Sequence, residues 1–132
     1  AARLLAATRE ALAAGIAAAR AGNYVADISG AIEAVARREK LGIVRDLGGH
    51  GVGERVHEPP QIPNFRSGRV KGAKLLAGMV LALEPMFTLG SGAVRFLPDG
   101  YTVVTADGSL AAHFEQTVAV TPTGPLVLTA VQ

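Results

Sequence analysis

The hydrophobic period of this chain changes once, at Gly42, and that change limits the folds open to it. Before it, Leu5, Leu12, Ile16 and Ala19 recur at helical spacing and predict a first helix to about Arg20, with Gly22 and Asn23 as its stop and as a cap for the next. Ile28, Ile32, Val35 and Ala36 share one face of a second helix over 24–40. Arg37, Arg38 and Lys40 fill its last turn, where cations suit the helix dipole, and Gly42 ends it. Beyond Gly42 the apolar residues alternate, and turn-forming groups become regular: GSG at 90–92, DG at 99–100 and 107–108, TPTG at 121–124. They predict an antiparallel meander with strands near 43–47, 54–58, 79–87, 93–97, 101–105, 113–121 and 125–129. Two helices followed by strands is an α+β arrangement, with both helices packed on one face of a curved sheet. A length of 132 residues suits a single domain, 1–132.

Composition removes several classes of chemistry. The chain has no cysteine, so disulfides, thiolate nucleophiles and sulfur-ligated zinc are excluded, and any metal must be held by His, Asp or Glu. Lack of cysteine also fits a cytoplasmic setting. Thirteen basic and eleven acidic residues are scattered with a formal charge of +2, without the basic block that a nucleic-acid site would show. The longest apolar run, LLAGMVLAL at 75–83, is far short of the roughly 20 residues that span a bilayer. The alanine-rich start reads as a structural helix and not a signal peptide, because Glu10 interrupts it and no cleavage pattern follows. It begins without methionine inside that helix, which leads to the expectation of natural sequence upstream.

The stretch GGHGVGERVHEPPQIPNF at 48–65 places two of the three histidines, His50 and His57, among glycines. Glycine is kept where backbone must bend or approach something closely, so the stretch reads as a site. In MVLALEPMF, alternation puts Glu84 on the face of Val80 and Ala82, just before Pro85 ends regular pairing. In HFEQTVAV, His113, Glu115 and Thr117 share one face. Carboxylates among apolar neighbours need a cation or donors. Two carboxylates with one or two imidazoles suit Mn, Fe, Co or Zn. Other readings stay open on spacing alone: a loop histidine satisfied by backbone at His50, and an ion pair with an arginine for Glu84 and for Glu115. His113 reads as a rim or outer histidine in preference to a direct ligand, since neighbours two apart on a strand rarely share one small ion.

GGHGVGERVHEPPQIPNF, LLAGMVLALEPMF and DGYTVVTADGSLAAHFEQTVAVT, in that order and with matching gaps, resemble the C-terminal half of type I methionine aminopeptidases, which are pita-bread metallopeptidases. ADISGAIEAVARREKLG matches the family's connecting segment, so the resemblance covers nearly the whole chain. Proline-directed relatives share the GHG and HE-P elements but usually carry EPG, then tyrosine and an R-ED element; here EPMF and SLAAHFEQT stand there. The 31 positions from Glu84 to Glu115 leave no room for the long insertion of type II members.

The resemblance implies a pita-bread fold and removal of the N-terminal methionine from nascent polypeptides, whose N-terminal peptides would be the partners, with ribosome association as a further expectation and no membrane or direct nucleic-acid contact. It implies His50 as a metal ligand, Glu84 as terminal ligand and proton shuttle, Glu115 as the carboxylate bridging two ions, and His57 as the histidine that contacts the substrate carbonyl or scissile amide. A hydroxide held by the two divalent ions, Co, Mn, Fe or Zn, would attack the first peptide carbonyl. Many relatives carry phenylalanine and tryptophan where Val56 and Tyr101 stand, lining the methionine pocket; Gln116 replaces a frequent histidine and points outward. The family also supplies two aspartate ligands from the preceding half. None of Asp27, Asp46, Asp99 and Asp107 has that context, so the ions would be incompletely liganded and activity of these 132 residues alone low or absent. Other readings are a non-catalytic module that binds peptide or protein, an Xaa-Pro peptidase, and a small α+β domain whose polar residues only stabilise its sheet.

Overall fold

The computed structural model describes residues 1–131. Helix α1 (Ala2–Ala18) buries Leu4, Ala7, Thr8, Ala11, Leu12 and Gly15, which is an unbroken i, i+3, i+4 stripe. Leu5 lies one residue off that stripe and is 47% exposed, contrary to expectation. Asn23 also differs from its predicted role. Its side-chain amide donates to the carbonyl of Ala18 at 3.0 Å, closing the end of α1. Helix α2 (Val25–Arg38) is instead held at its start by Asp27, whose carboxylate accepts from the Tyr24 N–H at 2.7 Å. Ile28, Ile32, Val35 and Ala36 are buried as expected. The chain reverses at Lys40, which takes a φ of 54°, and not at Gly42, which already belongs to a strand.

Ten short strands follow among the described residues: β1 (Gly42–Ile43), β2 (Gly49–Gly51), β3 (Glu58–Ile62), β4 (Val80–Leu83), β5 (Met86–Thr88), β6 (Val94–Phe96), β7 (Val103–Thr105), β8 (Ala111–His113), β9 (Gln116–Thr121) and β10 (Gly124–Val127). Every pairing is antiparallel. They form a five-stranded sheet in the order β10-β9-β4-β2-β3, a three-stranded sheet β1-β5-β8 and the hairpin β6-β7. The α+β class and the helices on one side are as predicted. The strand near 54–58 is displaced to Glu58–Ile62, because 53–57 forms the bend that carries His57. The two long strands predicted at 79–87 and 113–121 are each cut in two.

Those two cuts face each other. Leu83 pairs with Gln116 on one side of the gap and Met86 with His113 on the other, so the chain passes from the larger sheet to the smaller at one level. Leu81, Leu83, Val118 and Val120 point to the helices and share a core with Leu4, Leu12, Ile28 and Ile32. Residues of the other parity, Ala82 and Thr117, stand beside His50 in register and define the opposite face.

Backbone proximity explains the glycines around His50. A Cβ on Gly49 would run into the Ala82 carbonyl oxygen of β4, and one on Gly51 into the Pro59 carbonyl. Close strands hold His50 over the gap. Gly49→Ala is therefore expected to cost about 1–3 kcal/mol through forced backbone displacement, read as a lowered urea midpoint at unchanged slope.

Candidate metal centre

In antiparallel register, His50, Ala82 and Thr117 are lateral neighbours. Glu84 lies two residues beyond Ala82 and Glu115 two before Thr117, and the opposed gap in both strands lets the two carboxylates converge under the imidazole. One ligand atom from each of His50, Glu84 and Glu115 lies within 4.8 Å of the other two. The Nε2 of His50 is 3.0 Å from Oε1 of Glu84, and the Nε2 of His113 is 3.3 Å from Oε2. His50 and Glu84 side chains are each 13% exposed, while Glu115 stands open to solvent. Among the described residues the ion-pair partners of Glu84 are thus two histidines and no arginine.

His50 has a defined tautomer. Its Nδ1 is 2.8 Å from the carbonyl of Gly51, which can only accept, so Nδ1 carries the proton. In the neutral ring Nε2 is then a lone pair aimed at a carboxylate oxygen, an arrangement that needs positive charge between or on them. Metal-bound histidines donate their other N–H to a backbone carbonyl in the same way. Two donors about 2.1 Å from one ion lie about 3.0 Å apart at a right angle and about 3.4 Å at the tetrahedral angle. The observed 3.0 Å between His50 and Glu84 falls at the first of these. One imidazole and two carboxylates suit a borderline or hard divalent ion. The residues fit a metal.

The Glu84 carboxyl feels opposing influences: burial would raise its pKa, but hydrogen bonding and charge from His113 and His50 outweigh it, leaving the value below 4.5. His113 is shifted upward from 6.5, by its hydrogen bond to Glu84 first; burial opposes this, and the charges of Glu84 and Glu115 add to it.

The His57 ring centroid is 4.2 Å from that of His50, tilted by 45°, and the ring is exposed. Both rings line a cleft of about 780 Å³ that also reaches Arg45, Glu58 and Phe65. A smaller apolar pocket of about 250 Å³ lies between the β6-β7 hairpin and Met86, Ala112 and His113. Val56 and Tyr101 line neither; they are 72% and 91% exposed. Asp27, Asp99 and Asp107 are engaged in a helix start and two turns, and Asp46 sits exposed on the cleft wall, so no aspartate joins the cluster. Gln116 lies on the opposite parity and its side-chain oxygen accepts from Thr129.

One contributor escaped sequence reasoning. Asn64 is buried, 1% exposed, and donates to the backbone carbonyl of Glu84 at 2.8 Å, catching the group that the strand gap removes from the ladder. Proline and asparagine side by side signal only a turn, so nothing in the local pattern marks this long-range bond.

The arrangement, a curved antiparallel sheet with His and Glu donors gathered at a strand break, can now be set beside known proteins. A sequence profile for metallopeptidase family M24 matches residues 1–122. The chain belongs to metallopeptidase family M24. It is similar to the methionine aminopeptidase of Clostridium perfringens, 50% identical over 131 residues, which are 98% of this chain and 52% of that one. A methionine aminopeptidase of Treponema pallidum is 54% identical over 117 residues, 89% of this chain and 46% of its own length. Among solved structures, the methionine aminopeptidase of Thermotoga maritima superposes with a TM-score of 0.91 at 41% identity, covering 97% of this chain and 51% of that one. The fold is the pita-bread fold of this family. This chain spans about half the length of the curated relatives that it matches. These matches agree with the resemblance, read from three motifs, to the C-terminal half of type I methionine aminopeptidases.

Two outcomes are expected of the metal-free chain. Glu84 is lowered, so its contribution to stability is complete above 4.5 and lost as pH falls through the folded value; His113 is raised, so its contribution is complete below 6.5 and lost as pH rises through the folded value. Thermal melts across both limits should show the pair contributing most between 4.5 and 6.5, and Glu84→Gln should flatten that dependence. Asn64→Ala, which leaves the Glu84 carbonyl unpaired, should cost about 1–3 kcal/mol in urea unfolding.

Proposed function

We propose that this chain forms the His/Glu part of the centre of a metal-dependent aminopeptidase that removes N-terminal methionine from nascent polypeptides. The observation that carries the reading is the meeting of His50, Glu84 and Glu115 within 4.8 Å on one sheet face, in a chain 50% identical to a methionine aminopeptidase. These three residues would hold divalent ions, with Co, Mn, Fe and Zn as the candidates and two ions as the expected number. Such ions supply polarisation of the scissile carbonyl and a water acidic enough to lose its proton near neutral pH.

The chain's own residues do the rest. Glu84, ionised beside its histidines, would accept the water's proton and return it to the amine as the C–N bond breaks. Its pKa lies below 4.5, so it is ionised near neutral pH. His57, exposed at the cleft beside His50, would donate to the oxygen that gains charge in the tetrahedral state. The substrate would be the N-terminal peptide of a nascent chain lying in that cleft. Val56 and Tyr101 are assigned to its methionine side chain on the resemblance alone. The partner reading extends to ribosomes and the setting to the cytoplasm; no helix among the described residues is long and apolar enough to cross a membrane. A non-catalytic module or a proline-directed peptidase is not favoured, since relatives at 50% and 54% identity are methionine aminopeptidases.

With three protein donors for two ions, binding is expected to be weak but specific to this site. Isothermal titration of the chain with Mn(II) or Co(II) should give binding that His50→Ala and Glu115→Ala each abolish. Heat signals unchanged by both substitutions would refute the assignment. In an enzyme that also supplies the remaining ligands, His57→Ala should lower turnover of a methionyl peptide by about 100-fold or more, as loss of an oxyanion donor does, while metal affinity stays the same.

A further inference from the structure

Glu84 is the only carboxylate of the cluster gripped by histidine at both oxygens, and the two imidazoles cannot play the same part. His50 donates its Nδ1–H to the Gly51 carbonyl, so with an ion between them its Nε2 would offer that ion an electron pair and could not donate to Oε1. His113 is not bound in this way. Its Nδ1 has no protein partner among the described residues, its side chain is 46% exposed, and its Nε2 lies 3.3 Å from Oε2. Water can serve Nδ1 as an acceptor's partner, which leaves Nε2 free to carry the proton. The backbone fixes the position, because His113 ends β8 in register with Met86, at the lip of the gap beside Glu84.

We infer that His113 is a positioning residue: it donates its Nε2–H to Oε2 of Glu84 and thereby reserves Oε1 for the ions held with His50 and Glu115. The inference rests on the metal reading above and deepens it. An ionised carboxylate offers two equivalent acceptor oxygens, and an ion can be taken by one or chelated by both. An N–H donor on one oxygen removes that choice and fixes rotation of the carboxylate about its last bond. His50 and His113 consequently carry opposite tautomers, protonated at Nδ1 and at Nε2. Outer hydrogen bonds of this kind orient a ligand and tune its affinity.

The test uses the full chain with Mn(II) and Co(II) as probes. His113→Leu, similar in bulk but without a donor, should weaken Mn(II) binding in titration calorimetry by about 10-fold to 100-fold, as loss of such partners does. It should also change the visible absorption of the Co(II) form, since Oε2 becomes free to bind and raises the coordination number. His113→Gln, which keeps an N–H donor, should restore most of the affinity and the original spectrum. Equal affinity and equal spectra for the native and Leu chains would overturn the positioning role while leaving the metal reading intact. Failure of the native chain to bind either ion would sink both. Should the Leu variant not fold, ring nitrogen NMR of the native chain with Zn(II) decides: a protonated Nε2 on His113 supports the inference, and an unprotonated one overturns it.

Discussion

The centre depends on one backbone event, the interruption of two neighbouring strands at the same level. A continuous antiparallel pair from 80 to 88 against 111 to 121 would keep strict alternation, and its side chains would stay a full residue spacing apart. Pro85 prevents that on one strand, because it cannot donate to the ladder. On the other strand, at the gap, Phe114 donates its N–H to the Pro85 carbonyl at 3.3 Å. Phe114 then packs toward the helices, where Arg9 of α1 lies over its ring at 5.1 Å, and Glu115 is turned the other way. Apolar anchorage on one side thus aims a charge on the other.

The same division explains the residue sizes around the site. On the core face β4 and β9 carry Leu81, Leu83, Val118 and Val120, all buried. On the site face the residues between the donors are Ala82 and Thr117, small enough to leave the space above the sheet to His50. Glycines 49 and 51 bring β2 close to its neighbours by removing the side chains that would point the other way. Bulk on one face and its absence on the other come from a single alternation, so a one-residue slip would exchange core for site and lose both.

How much of this was open to sequence reading follows from the range of each interaction. Helix α2 was legible because Ile28, Ile32, Val35 and Ala36 state its buried face locally, and the turn pairs stated the meander in the same way. Of the residues that meet, His50 and Glu84 could be picked out because an ionisable residue beside glycine or proline in an apolar run has few structural uses, and Glu115 because it shares a strand face with His113. What failed depended on partners far along the chain. Leu5 looked like core only until α2 fixed which stripe of α1 it covers. The ends of both helices went to Asn23 and Lys40, where glycine was expected. Asn64 lies 20 residues from the carbonyl it holds, and the split of the long strands shows in sequence only at Pro85. The exposure of Tyr101 likewise reflects where the β6-β7 hairpin lies, which its turn signal does not specify.

The centre is shaped before any ion arrives, and by charges that an ion would have to complement. Bringing Glu84 to 13% exposure carries a desolvation cost that would favour its protonated form. His50 and His113 reverse that preference, Asn64 fixes the backbone beneath it, and the Gly51 carbonyl sets the ring of His50. A carboxylate that is already ionised can receive a divalent ion without a change in its own charge. Glu115, exposed on the open side, can adjust to an ion while the buried pair defines the geometry. Rigid and adaptable donors are thereby divided between the two strands of one gap.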